Sequence, residues 1–325
     1  MYSGRRGVCH GGNCENVGLA SGQSHETIAD MLRIHMLPAA HGDCLLVEYG
    51  ATGEPCRILI DGGVCRTYDV LRAELLAIAE TRRKLDLVVI THVDADHIEG
   101  MVKFLTDESL GVSIREIWFN GYGHLTEDAP LHFGGVQGEY ASALIEKRQI
   151  PWNKANEGRA ICVPNEGPLP TFLMPGGLRL TLLSPTREKM ADMADKWEGE
   201  VRKAGLVPGH SAETLEHLQT KGKRMLVRFS DDAEELPSVE DLVREPYERD
   251  TAPANGSSIA FLAEFEGKSI LFGADAHAEV LEASIERLLL ERNLPILEID
   301  AFKLPHHGSR ANLSPRLAEL VLARQ

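Results

Sequence analysis

The sequence predicts an α/β fold, a four-layer αββα sandwich with two strand-rich halves between outer helices. Three observations predict it. The chain has 325 residues, 43% hydrophobic and 26% charged, enough for one large domain with a sizeable core. Strand-length apolar runs fall into two blocks, each interleaved with segments of helical spacing, an order that fits one domain better than two. No run of 18 or more apolar residues exists, so these segments bury against one another and no membrane span is expected.

Residues 1–30 are rich in Gly, Ser, Asn and His and lack periodicity, so they read as a disordered leader. Met31 opens the first convincing strand, and a translation start there is an expectation. Residues 32–37 and 44–49 read as strands, and 57–61 as a third that ends in Asp61-Gly62-Gly63. Residues 67–81 carry Val70, Leu71, Leu75, Ile78 and Ala79 at helical spacing. Residues 87–91 form a buried strand by composition. A helix follows from Ile98 to Leu105, then a strand over 114–119, a Gly- and Pro-containing loop over 121–135 and a helix over 139–147.

The second half opens with a strand over 178–183 and a charged helix from 186 to about 203. Residues 205–250 are acidic and polar, a long insertion or lid within a domain that spans 31–325. A hairpin follows, 257–265 and 269–272 about Gly267. The chain closes with a helix over 277–292, a strand over 296–304 and a helix over 314–323.

The net charge of −15 argues against a broad phosphate-binding surface, so any polyanionic substrate needs a local patch or bound cations. The six cysteines form no CxxC pair, and the first 30 residues lack an apolar leader core. A cytoplasmic protein with reduced cysteines is expected. Cys9, His10 and Cys14 could bind a metal, but such a cluster in a Gly-rich leader is more often incidental.

Three strand tips carry chemistry: THVDADH at 91–97, GADAH at 273–277 and PHHGS at 305–309. Sheets hold such loops rigidly while leaving them open to solvent. Imidazole and carboxylate are ligands for Zn, Mn and Fe. Alternate side chains of an extended loop point the same way, so His92 and Asp94 can share one metal while Asp96 and His97, at a tighter turn, serve a second. Two divalent ions bring about four positive charges against Asp94, Asp96 and Asp275, and the excess attracts and activates hydroxide. The competing reading is a surface loop in which Asp96 caps the following helix. Asp275 and His306-His307 at two further tips weigh against it.

HxDxDH before a helix, then Gly-x-Asp and His-His-Gly-Ser after strands, resembles the metallo-β-lactamase superfamily, and within it the competence (DNA-uptake) branch. Asp94 stands where most of the superfamily has His, and that branch tolerates Asp there. Ala40-His-Gly-Asp-Cys44, Ile60-Asp-Gly-Gly63 and Asn255-Gly-Ser-Ser-Ile259 are similar to segments of the same branch. The resemblance covers residues 32–325. It implies that His92 and Asp94 ligate one metal, Asp96 and His97 the other, and that Asp275 bridges them. His307 matches the last ligand, in its His-Gly step, better than His306. His306 then serves as general acid or braces a ligand.

The first metal lacks a ligand on this reading. Asn255 is the favoured supplier, ahead of His124, His132, His210 and His217. Asp43 and Asp61 brace the metal loop, though Asp61 could be a plain turn residue. Glu99 reads as a solvent-facing helix residue. Branch members usually continue past the HHGS helix with another strand, so a chain ending at Gln325 is expected to be a fragment or to lack that last layer.

The expected activity is phosphodiester hydrolysis, including nuclease action, by hydroxide activated between two Zn or Mn ions, with Asp96 and His306 as catalytic residues. Lys303, Arg310 and Arg316 near the HHGS tip would be the local exception to the acidic charge that nucleic acid needs. The alternatives are hydrolysis of a lactone, lactam or thioester, and a non-catalytic module stabilised by metal. Oligomeric state is not legible in the sequence.

Overall fold

The computed structural model describes residues 30–125, 136–207, 211–222 and 248–324. The expected leader with Cys9, His10 and Cys14, both His132 and His210, and residues 223–247 of the expected insertion lie outside them.

The first half runs β1 (Asp30–Met36), β2 (Leu45–Ala51), β3 (Cys56–Ile60), α1 (Tyr68–Ala77), β4 (Lys84–Leu85), β5 (Leu87–Val89), α2 (Ala95–Thr106), β6 (Ser113–Ile114), β7 (Ile117–Trp118), α3 (Tyr122–Leu125) and α4 (Val136–Lys147). β8 (Thr171–Leu173), β9 (Arg179–Ser184), α5 (Arg187–Lys203), α6 (Ser211–His217), α7 (Pro253–Gly256), β10 (Ala260–Phe265) and β11 (Lys268–Phe272) follow. The chain ends in α8 (Ala278–Arg292), β12 (Leu297–Ile299), β13 (Ala301–Lys303), α9 (Pro315–Leu320) and β14 (Val321–Ala323).

The result is a mixed α/β fold with several sheets. One five-stranded sheet has the order β1-β2-β3-β5-β7 and another β13-β11-β10-β9-β8. β2 pairs antiparallel with its two neighbours, and β3, β5 and β7 are mutually parallel. Parallel pairing aligns the carboxyl ends of β3 and β5, which puts Asp61 and the 91–97 loop side by side. In the second sheet β11 and β13 are parallel, so Asp275 and the two histidines at 306–307 also leave from one edge.

Period-2 alternation decides which layer each strand residue joins. Tyr49, Ile58, Ile60, Val89 and Trp118 share a buried cluster with Leu180, Leu182, Phe261 and Phe272 of the second sheet. Trp118 meets Phe261 at 6.3 Å and Tyr49 meets Phe265 at 5.7 Å, both edge-on. Leu46, Leu59, Val88 and Ile90 form a separate cluster with Leu71 and Leu75 of α1, Met101 and Leu105 of α2, and Tyr140 and Leu144 of α4. Leu281, Ile285 and Leu288 of α8, one helical stripe, join the cluster of the second sheet.

Several boundaries differ from the sequence reading. α2 begins at Ala95 and not near Ile98, because Asp94 is extended and the helix starts immediately after it. The predicted strand over 114–119 is two short pieces, and that over 296–304 splits into β12 and β13 at Asp300, which accepts from Ser269 N. The final predicted helix stops at Leu320, and the chain turns into β14 to pair with β12. Glu99 is not solvent-facing. It is buried, and its Oε2 accepts from Cys65 N at 3.0 Å, tying α2 to the loop after β3. Within the expected insertion, α6 packs on α4, where Tyr140 Oη and His217 Nδ1 lie 2.7 Å apart. No helix among the described residues is long and apolar enough to cross a membrane.

Candidate metal centre

The centre is built on backbone contacts that only glycine permits. Gly62 N donates to His97 O, and Gly100 N to Gly63 O, both at 2.9 Å. A Cβ on Gly62 would lie 2.4 Å from Met101 N, and one on Gly42 1.6 Å from Asp96 O. The loops after β1 and β3 therefore press directly on the start of α2. Asp61 (φ 54°), Ala274 (φ 46°), His306 (φ 47°) and His307 (φ 54°) are all left-handed. Each such non-glycine residue costs of order 1–3 kcal/mol and persists only where its surroundings over-determine it.

Asp275 lies at the middle of these tips. Its Oδ2 is 3.3 Å from His97 Nε2, 3.6 Å from His307 Nε2, 3.9 Å from His92 Nε2 and 4.0 Å from His306 Nε2. Asp94 Oδ2 is 3.9 Å from His92 Nε2, while Asp96 Oδ2 is 3.3 Å from His307 Nε2 and 3.9 Å from His97 Nε2. The fold thus brings together His92, Asp94, Asp96, His97, Asp275, His306 and His307. Asp96 faces His307 from the first turn of α2, whose N-cap is Asp94.

Every one of the four imidazoles turns Nε2 inward and has an oxygen beside Nδ1. His97 Nδ1 is 2.8 Å from Asp61 Oδ2, and His92 Nδ1 is 3.0 Å from Thr91 Oγ1, which donates to the same Asp61 oxygen at 2.7 Å. His307 Nδ1 lies 3.6 Å from Asp43 Oδ1, and His306 Nδ1 lies 2.9 Å from Asn312 Oδ1. Asp43 also pairs with Lys303. An acceptor behind each ring is how proteins orient histidines that ligate metal.

The donor atoms of Asp43, His97, Asp275 and His307 all lie within 4.8 Å of one another. Asp43 stands behind His307 and not among the inward-facing atoms, so it braces the ring. Nε2 of His92 and of His97, and Oδ1 of Asp275, are buried without a hydrogen-bond partner. An unsatisfied buried polar group costs ~1–3 kcal/mol. Imidazole lone pairs and carboxylates left facing one point fit a divalent cation.

Protons can take the place of that cation. Burial works against charge on Asp275, but His97, 3.3 Å away, and the nearby His92 and His307 hold its carboxyl well below the usual range. Burial also opposes charge on His97, yet Asp61 and Asp275 raise it well above an ordinary histidine. His307 is raised to about 9 against its burial by Asp43, Asp96 and Asp275. His92 goes the other way, lowered by burial and by His97 beside it.

Asn255 lies at the rim of the group. Its Nδ2 donates to Asp250 Oδ2 at 2.7 Å and is 3.4 Å from His306 Nδ1, and its Oδ1 is buried without a partner. His217 and His124 are elsewhere: the first against Tyr140, the second edge-on to Trp152 at 4.8 Å. Thr91, Asp250 and Asn312 escaped the sequence reading. Thr91 sits inside the motif and could have been singled out as a hydroxyl next to His92. Asp250 and Asn312 are an ordinary acid and amide in polar stretches, and nothing local marks them.

No curated protein matches the chain. Residues 38–155, the segment that carries Asp43, Asp61 and the whole His92–His97 motif, match the family model of the metallo-beta-lactamase superfamily.

Proposed function

We propose that the protein is a metal-dependent hydrolase of phosphodiesters, with the αββα layering of the metallo-β-lactamase fold and a first motif of the competence type. The observation that carries the metal reading is Asp275 ringed by four inward Nε2 atoms, with Asp94 and Asp96 beside them. His92 and Asp94 would hold one ion, Asp96, His97 and His307 the other, with Asp275 between them. Bound divalent ions supply Lewis acidity and a nucleophile at neutral pH.

The chain's own residues do the rest. Asp61 and Thr91 fix the His92 and His97 rings, and Asp43 fixes His307. Asp94, 40% exposed at its side chain, and Asp96, at 22%, stand on the open side, where a substrate approaches. Three carboxylates make a donor set suited to oxygen-loving ions such as Mn as well as Zn, and such ions also bind phosphate oxygens. Lys303 is paired with Asp43, and Arg316 with Glu286 and Glu319, so these cations offer little to a polyanion. The reading therefore takes a small phosphodiester, before a nucleic acid strand, as first substrate.

Hydrolysis of bis(p-nitrophenyl) phosphate with added Mn or Zn tests it. Turnover in the natural protein and its loss in Asp96→Ala are expected. No turnover, or turnover that survives Asp96→Ala, rejects it, and activity on a lactone or β-lactam panel would move the reading to acyl chemistry.

A further inference from the structure

His306 is held differently from the other three histidines, and its surroundings fix which nitrogen of its neutral ring carries the proton. Asn312 is fully buried. Its Nδ2 donates to Asp250 Oδ2 at 2.8 Å and lies 3.2 and 3.3 Å from the carbonyl oxygens of Asp275 and Ala276. Asp250 Oδ2 also accepts from Asn255 Nδ2 at 2.7 Å, and Asp250 Oδ1 accepts from Ala252 N at 2.8 Å. An ionised carboxylate and a carbonyl can only accept. With three acceptors on one side of the Asn312 amide, that side must be NH₂, so Oδ1 faces His306. Oδ1 can only accept as well, and at 2.9 Å from His306 Nδ1 it requires the proton on that nitrogen. The His306 Nε2 lone pair is then left facing Asp275 Oδ2 at 4.0 Å.

We infer that Asp250 and Asn312 are positioning residues that hold the proton of the neutral His306 ring on Nδ1 and so present its Nε2 to the centre as a metal donor. The Nε2 lone pair of the neutral ring supplies the donor that an ion beside His92 and Asp94 would otherwise lack. Asn255, whose amide faces Asp250, then belongs to the brace. The tautomer lock stands on hydrogen bonding alone, and the ligand role rests on the metal reading above.

Long-range ¹H–¹⁵N correlation of the metal-free full chain, labelled with ¹⁵N-histidine, reads the tautomer directly. At a pH where the ring is neutral, His306 should carry its proton on Nδ1. Asp250→Asn frees the Asn312 amide to turn, and Asn312→Leu removes the acceptor at nearly constant volume. Each should move His306 to a mixture of tautomers and weaken zinc binding ~10–100-fold, as loss of a partner behind a ligand does, with circular dichroism unchanged. A wild-type Nε2–H tautomer overturns the inference, as does retention of both the tautomer and the zinc affinity in both variants. If the wild-type chain takes up no zinc, the proposed function fails and the ligand role with it, while the variants' tautomers still decide the lock.

Discussion

At the scale of single residues, the centre consists of charges that depend on one another. His97 and His307 carry raised pKa values because Asp61, Asp43, Asp96 and Asp275 surround them, and Asp275 is held low because those imidazoles surround it. A histidine whose folded pKa is raised stabilises the fold fully below its unfolded value of ~6.5. That contribution fades as pH climbs to the folded value, about 9 for His307. A carboxylate with a lowered folded pKa contributes above ~3.9 and loses that contribution as pH falls through its folded value. His92, lowered by burial, costs stability as pH falls below ~6.5, so the chelated protein should melt highest near pH 6.5 and progressively lower toward about pH 9. On the proposed metal reading, zinc would replace those protons, so its stabilising effect should grow over the same alkaline range. Melting temperatures in chelator and in zinc across that range check both; a chelated protein whose melting point does not move would contradict the account.

At the scale of elements, the decisive contact is backbone against backbone. The loop after β3 and the start of α2 meet through Gly62 and Gly100, and this closeness presents Asp61 to His97. A methyl on Gly62 would lie 2.4 Å from Met101 N and 2.6 Å from Gly100 C, atoms that cannot rotate away. Gly62→Ala should destabilise the protein by ~1–3 kcal/mol or more, as overpacking does, and should weaken zinc binding with it. Urea titration and zinc titration of the same variant measure the two effects, and a stable variant with unchanged zinc affinity would show that the loop and helix can part without harm. Glu99 is locked between the same two elements by its bond to Cys65 N. Its acidic character suggested solvent, and the neighbouring loop decided otherwise.

At the scale of the whole molecule, the candidate ligands come from both sheets, so their grouping lasts only while the sheets stay docked. Trp118 sits at that seam, fully buried, against Phe261 at 6.3 Å and Phe172 at 4.8 Å. Trp118→Ala should cost ~3–5 kcal/mol, the usual range for emptying a large aromatic site. A denaturant midpoint shift equivalent to less than ~1 kcal/mol would mean the seam is held elsewhere.

The sequence by itself determined the strand tips. Density of His and Asp in THVDADH, with GADAH and PHHGS at two further strand tips, marked His92, Asp94, Asp96, His97, Asp275, His306 and His307, and the resemblance to the metallo-β-lactamase superfamily implied that they form one group. Element ends were less legible: β14 and the split at Asp300 depend on pairings between distant segments. The sequence reading had Asp43 and Asp61 bracing the metal loop, and tertiary structure decided which ring each stands behind and added Asp250 and Asn312. Asp43, Asp250 and Asn312 reach the histidines across 264, 56 and 6 positions of chain respectively, and an acid or amide in a polar stretch has no local pattern that announces its partner. Tautomer and charge follow from those partners, so they too belong to the folded molecule, while the residue types that could bind metal are written in the chain.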